Sequence, residues 1–365
     1  MLRPATLAPF ALALLVLGAR GPAAQTFQLS DDATLALSGN IQPRVGLGVE
    51  GADGTERVGF GLRRSRLQFR LTLLERAGME YDIDATPGDL RSVDLFAFYD
   101  LTPRVQLRAG RLPPAQPRAF VPTSNTRIDA VDRAAVAERW AAGTLGSAGR
   151  DLGVDVTATL GGTTLQATLH NGTGGFSRET DNFRESGSGP SVTRGTDKSE
   201  LALSVSARHG GASGVSFGGF ASANARGSES TAAPREGADP RAYATAGGHL
   251  YWGERAGSQP ARVKLDAVGT LYEREGGVAQ RAGGVSAFAA LRLFPHGEVF
   301  ARGERYWEDA RARGLLFGTL GASYSPSAAR GRDYRNLRLT LAYVLRRDEA
   351  GAVGHLAVLQ GQVAF

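Results

Sequence analysis

Apolar and polar side chains alternate through most of this chain, in segments of about ten residues that end at Gly, Pro, Asp or Asn. Alternation with a period of two is typical of β-strands whose two faces meet different surroundings. We count sixteen such segments, at 34–49, 58–74, 78–86, 91–101, 103–112, 151–160, 163–171, 199–209, 214–226, 241–252, 261–274, 283–294, 297–307, 315–325, 334–346 and 354–365. The pattern predicts an all-β chain, and an even number of strands allows an antiparallel sheet to close with both ends on one side.

The segment 62–73 has the most unusual distribution of polar side chains. Its apolar face is opposed by a face with three arginines: Leu67, Phe69, Leu71 and Leu73 lie opposite Arg64, Arg66, Gln68 and Arg70. A soluble sheet buries its apolar face in a core, whereas a membrane barrel turns that face to lipid and keeps the polar face around water. We therefore predict a transmembrane antiparallel β-barrel, and sixteen strands are enough to leave an aqueous lumen.

The two ends of the chain indicate export. Residues 1–24 combine a basic start at Arg3 with an apolar run and a small-residue region, which predicts a signal peptide. The apolar run is too short to cross a bilayer as a permanent helix. Residues 25–365 then form the barrel. Its last strand ends on an aromatic residue, Phe365, which resembles the assembly signal of bacterial outer-membrane proteins.

Two long connections interrupt the rhythm of strands. The segment 113–150 begins with two prolines and contains a predicted helix over 134–142. A loop of this length with its own structure is usually functional, and we expect it to fold into the lumen as a constriction loop. The segment 172–198 is rich in Gly, Ser, Thr and charge, which predicts a flexible surface loop, and a shorter one lies at 227–240.

Composition narrows the possible chemistry. The chain has no cysteine, which excludes disulfides and thiolate metal sites. Its five histidines are scattered, several at strand ends where we expect solvated turn residues, and no nucleophile motif is present. We therefore predict neither an enzyme nor a bound metal or cofactor. The net charge of +6 raises nucleic acid as a partner, but export and the lack of a recognisable binding motif argue against it.

The basic residues are nearly all arginine, because Lys198 and Lys264 are the only lysines. Aligned cations in a narrow channel raise the local concentration of anions, and arginine rings are a common device of anion-selective pores. The arginines with the parity of the polar face are Arg44, Arg64, Arg66, Arg70 and Arg108, with Arg292 and Arg338 on later strands. The alternative is that inward acids such as Glu80, Asp82 and Asp84 pair with them and leave a neutral lumen.

Five short motifs lie between residues 35 and 172: Gly59-Phe-Gly-Leu-Arg-Arg-Ser-Arg-Leu67, Val105-Gln-Leu-Arg-Ala-Gly-Arg111, Thr123-Ser124-Asn125 with Ala130-Val-Asp-Arg133, Arg150-Asp-Leu-Gly153 and His170-Asn-Gly172. Through these motifs, residues 35–172 resemble the phosphate-selective porins of the O and P type. The first motif is similar to the strand with paired arginines in that family, and the second is similar to the strand before its proline-containing turn.

This resemblance implies roles for individual residues. It implies that Arg63, Arg64 and Arg133 lie at the narrow zone, that Asp94 tempers the positive site, and that the protein is a homotrimer. The chain departs from the family in two ways. Asp132 stands where the family has glutamate, and the lysine cluster at the outer mouth is missing, which weakens the expectation of phosphate specificity.

Together these observations predict a porin of the bacterial outer membrane that passes small hydrophilic solutes passively and prefers anions. Phosphate or polyphosphate is the specific expectation, and the partners would be small anions and outer-membrane lipid. One alternative is a non-selective or sugar-passing porin. The other is an exported β-structured surface or binding protein without a channel.

Overall fold

The computed structural model describes residues 25–50, 55–86, 89–146, 148–172, 201–210, 214–224, 243–253, 259–273, 279–308 and 314–365. The predicted signal peptide at 1–24 lies outside the described residues. So do the predicted loop at 227–240 and nearly all of the one at 172–198.

The described residues form seventeen strands and one α-helix. In chain order they are β1 (Gln25–Ser30), β2 (Ala33–Glu50), β3 (Thr55–Leu73), β4 (Ala77–Thr86), β5 (Asp89–Thr102), β6 (Val105–Leu112), α1 (Ala135–Gly143), β7 (Asp151–Leu160), β8 (Thr163–His170), β9 (Ala202–Gly210), β10 (Val215–Asn224), β11 (Tyr243–Trp252), β12 (Ala261–Glu273), β13 (Ala279–Phe294), β14 (Gly297–Trp307), β15 (Leu315–Tyr324), β16 (Leu337–Arg347) and β17 (Val353–Ala364).

Strands β2 to β17 form a closed antiparallel barrel of sixteen strands. Each strand pairs with the next one in the chain, and β17 pairs back with β2, where Gln360 lies opposite Arg44. Every barrel strand overlaps one of the predicted segments. The predicted fold class is therefore confirmed.

Strand β1 was not predicted. It pairs with the start of β2, with Gln25 opposite Leu37, on the same edge that β17 occupies further along. The carbonyl of Phe365 accepts a hydrogen bond of 3.0 Å from the backbone N–H of Gly39, so β1 continues the edge where β17 ends. All six of its residues are exposed, and the strand is shorter than the segments of about ten residues that predicted the others.

The two faces of the barrel differ in the way a membrane requires. On β16 and β17, Leu341 and Leu359 point outward and are 57% and 48% exposed, whereas Thr340 and Gln360 point inward and are each 2% exposed. An apolar outer face suits contact with acyl chains, and a polar inner face suits water. No helix among the described residues is long and apolar enough to cross a membrane.

A β-bulge in β3 changes which arginines face the lumen. Gln42 lies opposite Arg64, but Pro43 lies opposite Leu62, so Arg63 is an extra residue in β3. A bulge turns neighbouring side chains to the same side of a sheet. Arg63 and Arg64 both contact groups inside the barrel, although strict alternation would direct one of them to lipid.

Strand β3 also extends beyond its neighbour β4. The first pair between the two strands is Arg66 with Asp84, so among the described residues the part of β3 at 55–65 pairs only with β2. Two outward side chains on this part, Val58 and Phe60, are 72% and 94% exposed. This part of β3 is an uncovered strand edge with an apolar outer surface.

The segment 113–150, which we call the inner loop, folds into the lumen as predicted. Its helix α1 packs against β12, β13 and β14 on the opposite wall. Trp140 is buried there, with its ring edge-on to Phe220 at 5.4 Å and its indole N–H donating to the Thr245 hydroxyl at 3.0 Å. The inner loop therefore divides the lumen and narrows it.

Candidate functional site

Charged contacts fix the inner loop to the barrel wall. The Asp129 carboxylate accepts a hydrogen bond of 2.8 Å from Lys264 and pairs with Arg262, both on β12. Arg262 also reaches Glu298 on β14 at 2.7 Å. Burial alone would raise the pKa of Asp129, but the two cations lower it to about 2. Asp129 therefore stays ionised at any physiological pH, and this attachment persists.

Four of the predicted pore-lining residues lie on the other side of the inner loop, in what we call the narrow zone: Arg44, Arg63, Arg64 and Arg133. Two of them bind acids of the loop. Arg44 reaches Asp132 at 3.5 Å, while Arg63 pairs with Asp132 and reaches Glu138 at 3.1 Å. The two paired arginines and the two acids form what we call the constriction ring (Arg44, Arg63, Asp132 and Glu138), and their side chains are each 29–39% exposed. Solvent therefore reaches all four charges of the constriction ring.

The two acids of the constriction ring respond differently to their surroundings. Burial would raise the pKa of Asp132, but Arg63 outweighs it and holds the pKa below its usual value. Burial and the neighbouring Asp132 raise the pKa of Glu138 above its usual value. As the pH falls, Glu138 therefore becomes neutral before Asp132 does.

Arg64 lies behind the ring and has only a neutral partner. Its Nη1 donates to the Gln42 side-chain oxygen at 3.0 Å, and the side chain is buried. No salt bridge joins it to a carboxylate of the described residues. Asp132 and Glu138 of the inner loop lie close enough for Arg64 to act on the pKa of both carboxylates, but neither forms a direct ion pair with it. The positive charge of Arg64 is therefore only partly offset.

Arg133 also has only neutral hydrogen-bond partners. Its guanidinium donates to the carbonyls of Phe120 and Thr123, the latter at 2.6 Å, and to the Asn125 side-chain oxygen at 2.8 Å. All three acceptors are neutral. Burial and the nearby Arg64 lower the pKa of Arg133 well below its usual value. The side chain both shapes the turn of the inner loop and adds charge to the narrow zone.

Three other predicted arginines are paired with carboxylates on neighbouring strands. Arg66 lies 3.2 Å from Asp84, Arg70 lies 2.8 Å from Glu80, and Arg108 lies 2.6 Å from Asp155. For these three arginines the structure follows the alternative of paired inward charges. Asp94 is buried and forms a two-point contact with Arg150, at 2.8 and 3.0 Å, rather than joining the constriction ring.

Some site residues were not identified from the sequence. Gln42 shares the polar face of β2 with Arg44, and that parity was the available signal. Asp129, Lys264 and Glu138 meet their partners across the lumen, so no local pattern indicates them.

A buried chain of hydrogen bonds corrects the expectation that strand-end histidines are solvated. His170 is 1% exposed and bonds Asp151 at 2.8 Å through Nδ1 and Ser204 at 2.7 Å through Nε2. The order Asp–His–Ser is that of a hydrolytic triad. However, Asp151 and Ser204 are fully buried, and the Ser204 hydroxyl also bonds Ser222 at 2.6 Å. The arrangement joins strands β7 to β10 and offers no nucleophile to a substrate.

Comparison with known proteins rests on structure alone. No known protein-family profile matches the sequence, and no curated protein matches it. The structure is similar to an anion-selective porin from Comamonas acidovorans, with 15% identity, coverage of 92% of this chain and 100% of that one, and a TM-score of 0.68. It is also similar to the outer-membrane channel DcaP of Acinetobacter baumannii, with 15% identity, coverage of 93% and 99%, and a TM-score of 0.61.

A third similar structure is a mutant of the Rh. blastica porin, with 12% identity, coverage of 91% of this chain and 100% of that one, and a TM-score of 0.52. In each case the match extends over nearly the whole of both chains. Identities this low show the fold and leave the choice of solute open. The chain has the fold of the bacterial outer-membrane porins.

Proposed function

We propose that this protein is a porin of the bacterial outer membrane that passes small hydrophilic solutes passively and prefers anions. The observation that carries the proposal is the unequal pairing of charges in the lumen. Arg66, Arg70 and Arg108 pair directly with carboxylates, whereas Arg64 and Arg133 at the narrow zone donate only to neutral groups. Cations that no carboxylate pairs directly, beside a water-filled passage, attract anions and repel cations.

The passage of an anion would proceed by exchange of partners. An incoming anion gives up water for guanidinium hydrogen bonds from Arg44 and Arg63, which are the arginines of the constriction ring that solvent reaches. Asp132 and Glu138 compete for the same guanidinium groups. This competition keeps the binding weak enough for the anion to leave, as conduction requires.

Phosphate, or a polymer that carries phosphate, is the specific solute we propose. Arginine presents a planar fork of donors that matches a phosphate or carboxylate oxygen pair. The resemblance to the phosphate-selective porins favours phosphate, and the scarcity of lysine weakens that choice. A non-selective or sugar-passing porin is the second candidate, because Arg66, Arg70 and Arg108 are fully paired.

Planar-bilayer recordings of the purified protein test the proposal. In a potassium chloride gradient the reversal potential should have the sign of chloride permeation, and a potential of the opposite sign or near zero would overturn the anion preference. Replacing chloride by phosphate on one side then measures the relative permeability of phosphate. If phosphate passes no better than chloride while selectivity for anions remains, only the specific solute is wrong.

We also propose that the protein assembles as a homotrimer. Backbone N–H and C=O groups are too costly to leave unpaired in lipid, so the uncovered edge of β3 at 55–65 needs a covering surface. Phe60 and Val58 give this edge an apolar contact surface for a second copy of the chain. Phe60→Arg should shift the purified protein to monomers in light-scattering measurements, whereas Phe217→Arg on the outer face of β10 should not. An unchanged mass for Phe60→Arg would refute this interface.

A further inference from the structure

Two buried glutamines connect two arginines across the closing seam of the barrel. Gln42 on β2 donates to the side-chain oxygen of Gln362 on β17 at 2.9 Å. Arg64 donates to Gln42 at 3.0 Å, and Arg338 donates to Gln362 at 3.2 Å. The result is a chain of four side chains, Arg64–Gln42–Gln362–Arg338, which we call the glutamine bridge.

The glutamine bridge contains two cations and no acid. Arg338 is 1% exposed, and its Nε and Nη1 atoms have no hydrogen-bond partner among the described residues. Both glutamines are buried as well, at 0% and 1% exposure for Gln42 and Gln362. Arg66, Arg70 and Arg108, in contrast, each have a carboxylate as partner, such as Glu80 for Arg70.

The hydrogen bonds that the two side-chain amide nitrogens donate explain why these residues are glutamine and not glutamate. The Gln42 amide nitrogen also donates to the carbonyl of Asn125 at 3.1 Å, and the Gln362 amide nitrogen donates to the carbonyl of Thr126 at 3.2 Å. Both carbonyls belong to the turn of the inner loop. A carboxylate cannot donate to them. Each glutamine thus holds the loop with its nitrogen and an arginine with its oxygen, and it adds no charge.

We propose that Gln42 and Gln362 determine the selectivity of the pore, as positioning residues that hold Arg64 and Arg338 without cancelling their charge. This inference rests on the proposed anion preference and attributes that preference to the charges of Arg64 and Arg338. Low-dielectric walls screen the two buried charges less than exposed ones, so their field extends into the lumen. Arg338 takes part although no solute touches it.

The test exchanges each amide for the nearly isosteric acid and measures the reversal potential in a potassium chloride gradient. Gln42→Glu and Gln362→Glu should each lower the chloride-to-potassium permeability ratio by about two- to fivefold, the change expected for one added charge at a distance of about 8 Å. Gln28→Glu makes the same change on the exposed strand β1 and should leave the ratio unchanged.

A second pair of variants separates charge from loss of the loop contacts. Gln42→Met removes the amide donations to Asn125 and Gln362, as Gln42→Glu does, and also removes the acceptor for Arg64, all without adding a charge. Its permeability ratio should therefore stay clearly above that of Gln42→Glu. Arg338→Lys keeps the charge and should keep the wild-type ratio, whereas Arg338→Gln should lower it. Heat-modifiable migration in gels checks that each variant has folded.

The outcomes distinguish this inference from the proposed function. A wild-type pore without anion preference refutes both. An anion-selective wild type refutes the inference alone if Gln42→Glu and Gln42→Met behave alike, or if Arg338→Gln keeps the wild-type ratio.

Discussion

The replacement of Arg64 by glutamine offers the most direct test of the charge pattern at the narrow zone. Arg64 is buried, its partner is the neutral Gln42, and no acid is left uncompensated when its charge is removed. Arg64→Gln should therefore reduce the anion preference of the pore while the barrel stays folded. Arg64→Lys keeps the charge and should retain most of the preference.

The magnitude follows from Coulomb attraction. For an anion about 8 Å from the guanidinium, the attraction is about 2 kcal/mol at an effective dielectric constant of about 20 and about 0.5 kcal/mol in bulk water. At physiological ionic strength, screening reduces the attraction of about 0.5 kcal/mol by about half. Because the charge acts in opposite senses on chloride and potassium, even about 0.25 kcal/mol changes their permeability ratio about twofold.

The assay is the reversal potential of the purified variant in a planar bilayer under a potassium chloride gradient. The matched control is Arg76→Gln, which removes one arginine from the exposed turn after the same strand, far from the inner loop. A ratio in Arg64→Gln that matches both the wild type and Arg76→Gln would refute the reasoning, since the net charge changes equally in the two variants.

Three further predictions follow from the inner loop and the strand before it. Glu138→Gln should raise the anion preference at neutral pH and remove part of its increase on acidification, because the raised pKa makes Glu138 the first acid of the constriction ring to become neutral; identical pH profiles in variant and wild type would contradict this. Trp140→Ala should destabilise the loop by about 3–5 kcal/mol and raise the single-channel conductance, and unchanged conductance would show that the loop is held elsewhere. Gly110→Ala should lower the yield of heat-modifiable barrel, since φ is +132° and an added Cβ would lie 2.5 Å from the Leu95 carbonyl oxygen; a normal yield would disprove the clash.

The strands were predictable because their signal is local. The contrast between lipid and water produces the alternation of apolar and polar residues within about ten residues. Each barrel strand can therefore be recognised from its own sequence. Strand β1 was not predicted because its six residues are too few to show an alternation over about ten residues. Arg63 was assigned to the lumen through the family resemblance. Simple alternation could not place Arg63 there together with Arg64, because the bulge opposite Gln42 interrupts the alternation.

The pairing of charges was not predictable from the sequence. It depends on the register between strands, which places Asp84 opposite Arg66 and leaves Arg64 opposite Gln42. It depends equally on the path of the inner loop, which brings Asp132 to Arg63 and carries Asp129 to Lys264 on the far wall. Sequence parity gives the direction of a side chain, but the identity of its partner is a property of the closed barrel.

The hydrogen bond between Gln42 and Gln362 joins residues that are 320 positions apart in the chain. The ring can therefore close only after β17 has been synthesised and has paired with β2. Until then the edge strands have unpaired backbone N–H and C=O groups, and these groups can pair with another molecule. Deleting β17 should therefore produce aggregates in the periplasm instead of a smaller pore, and a delay in sealing would expose every copy to the same hazard.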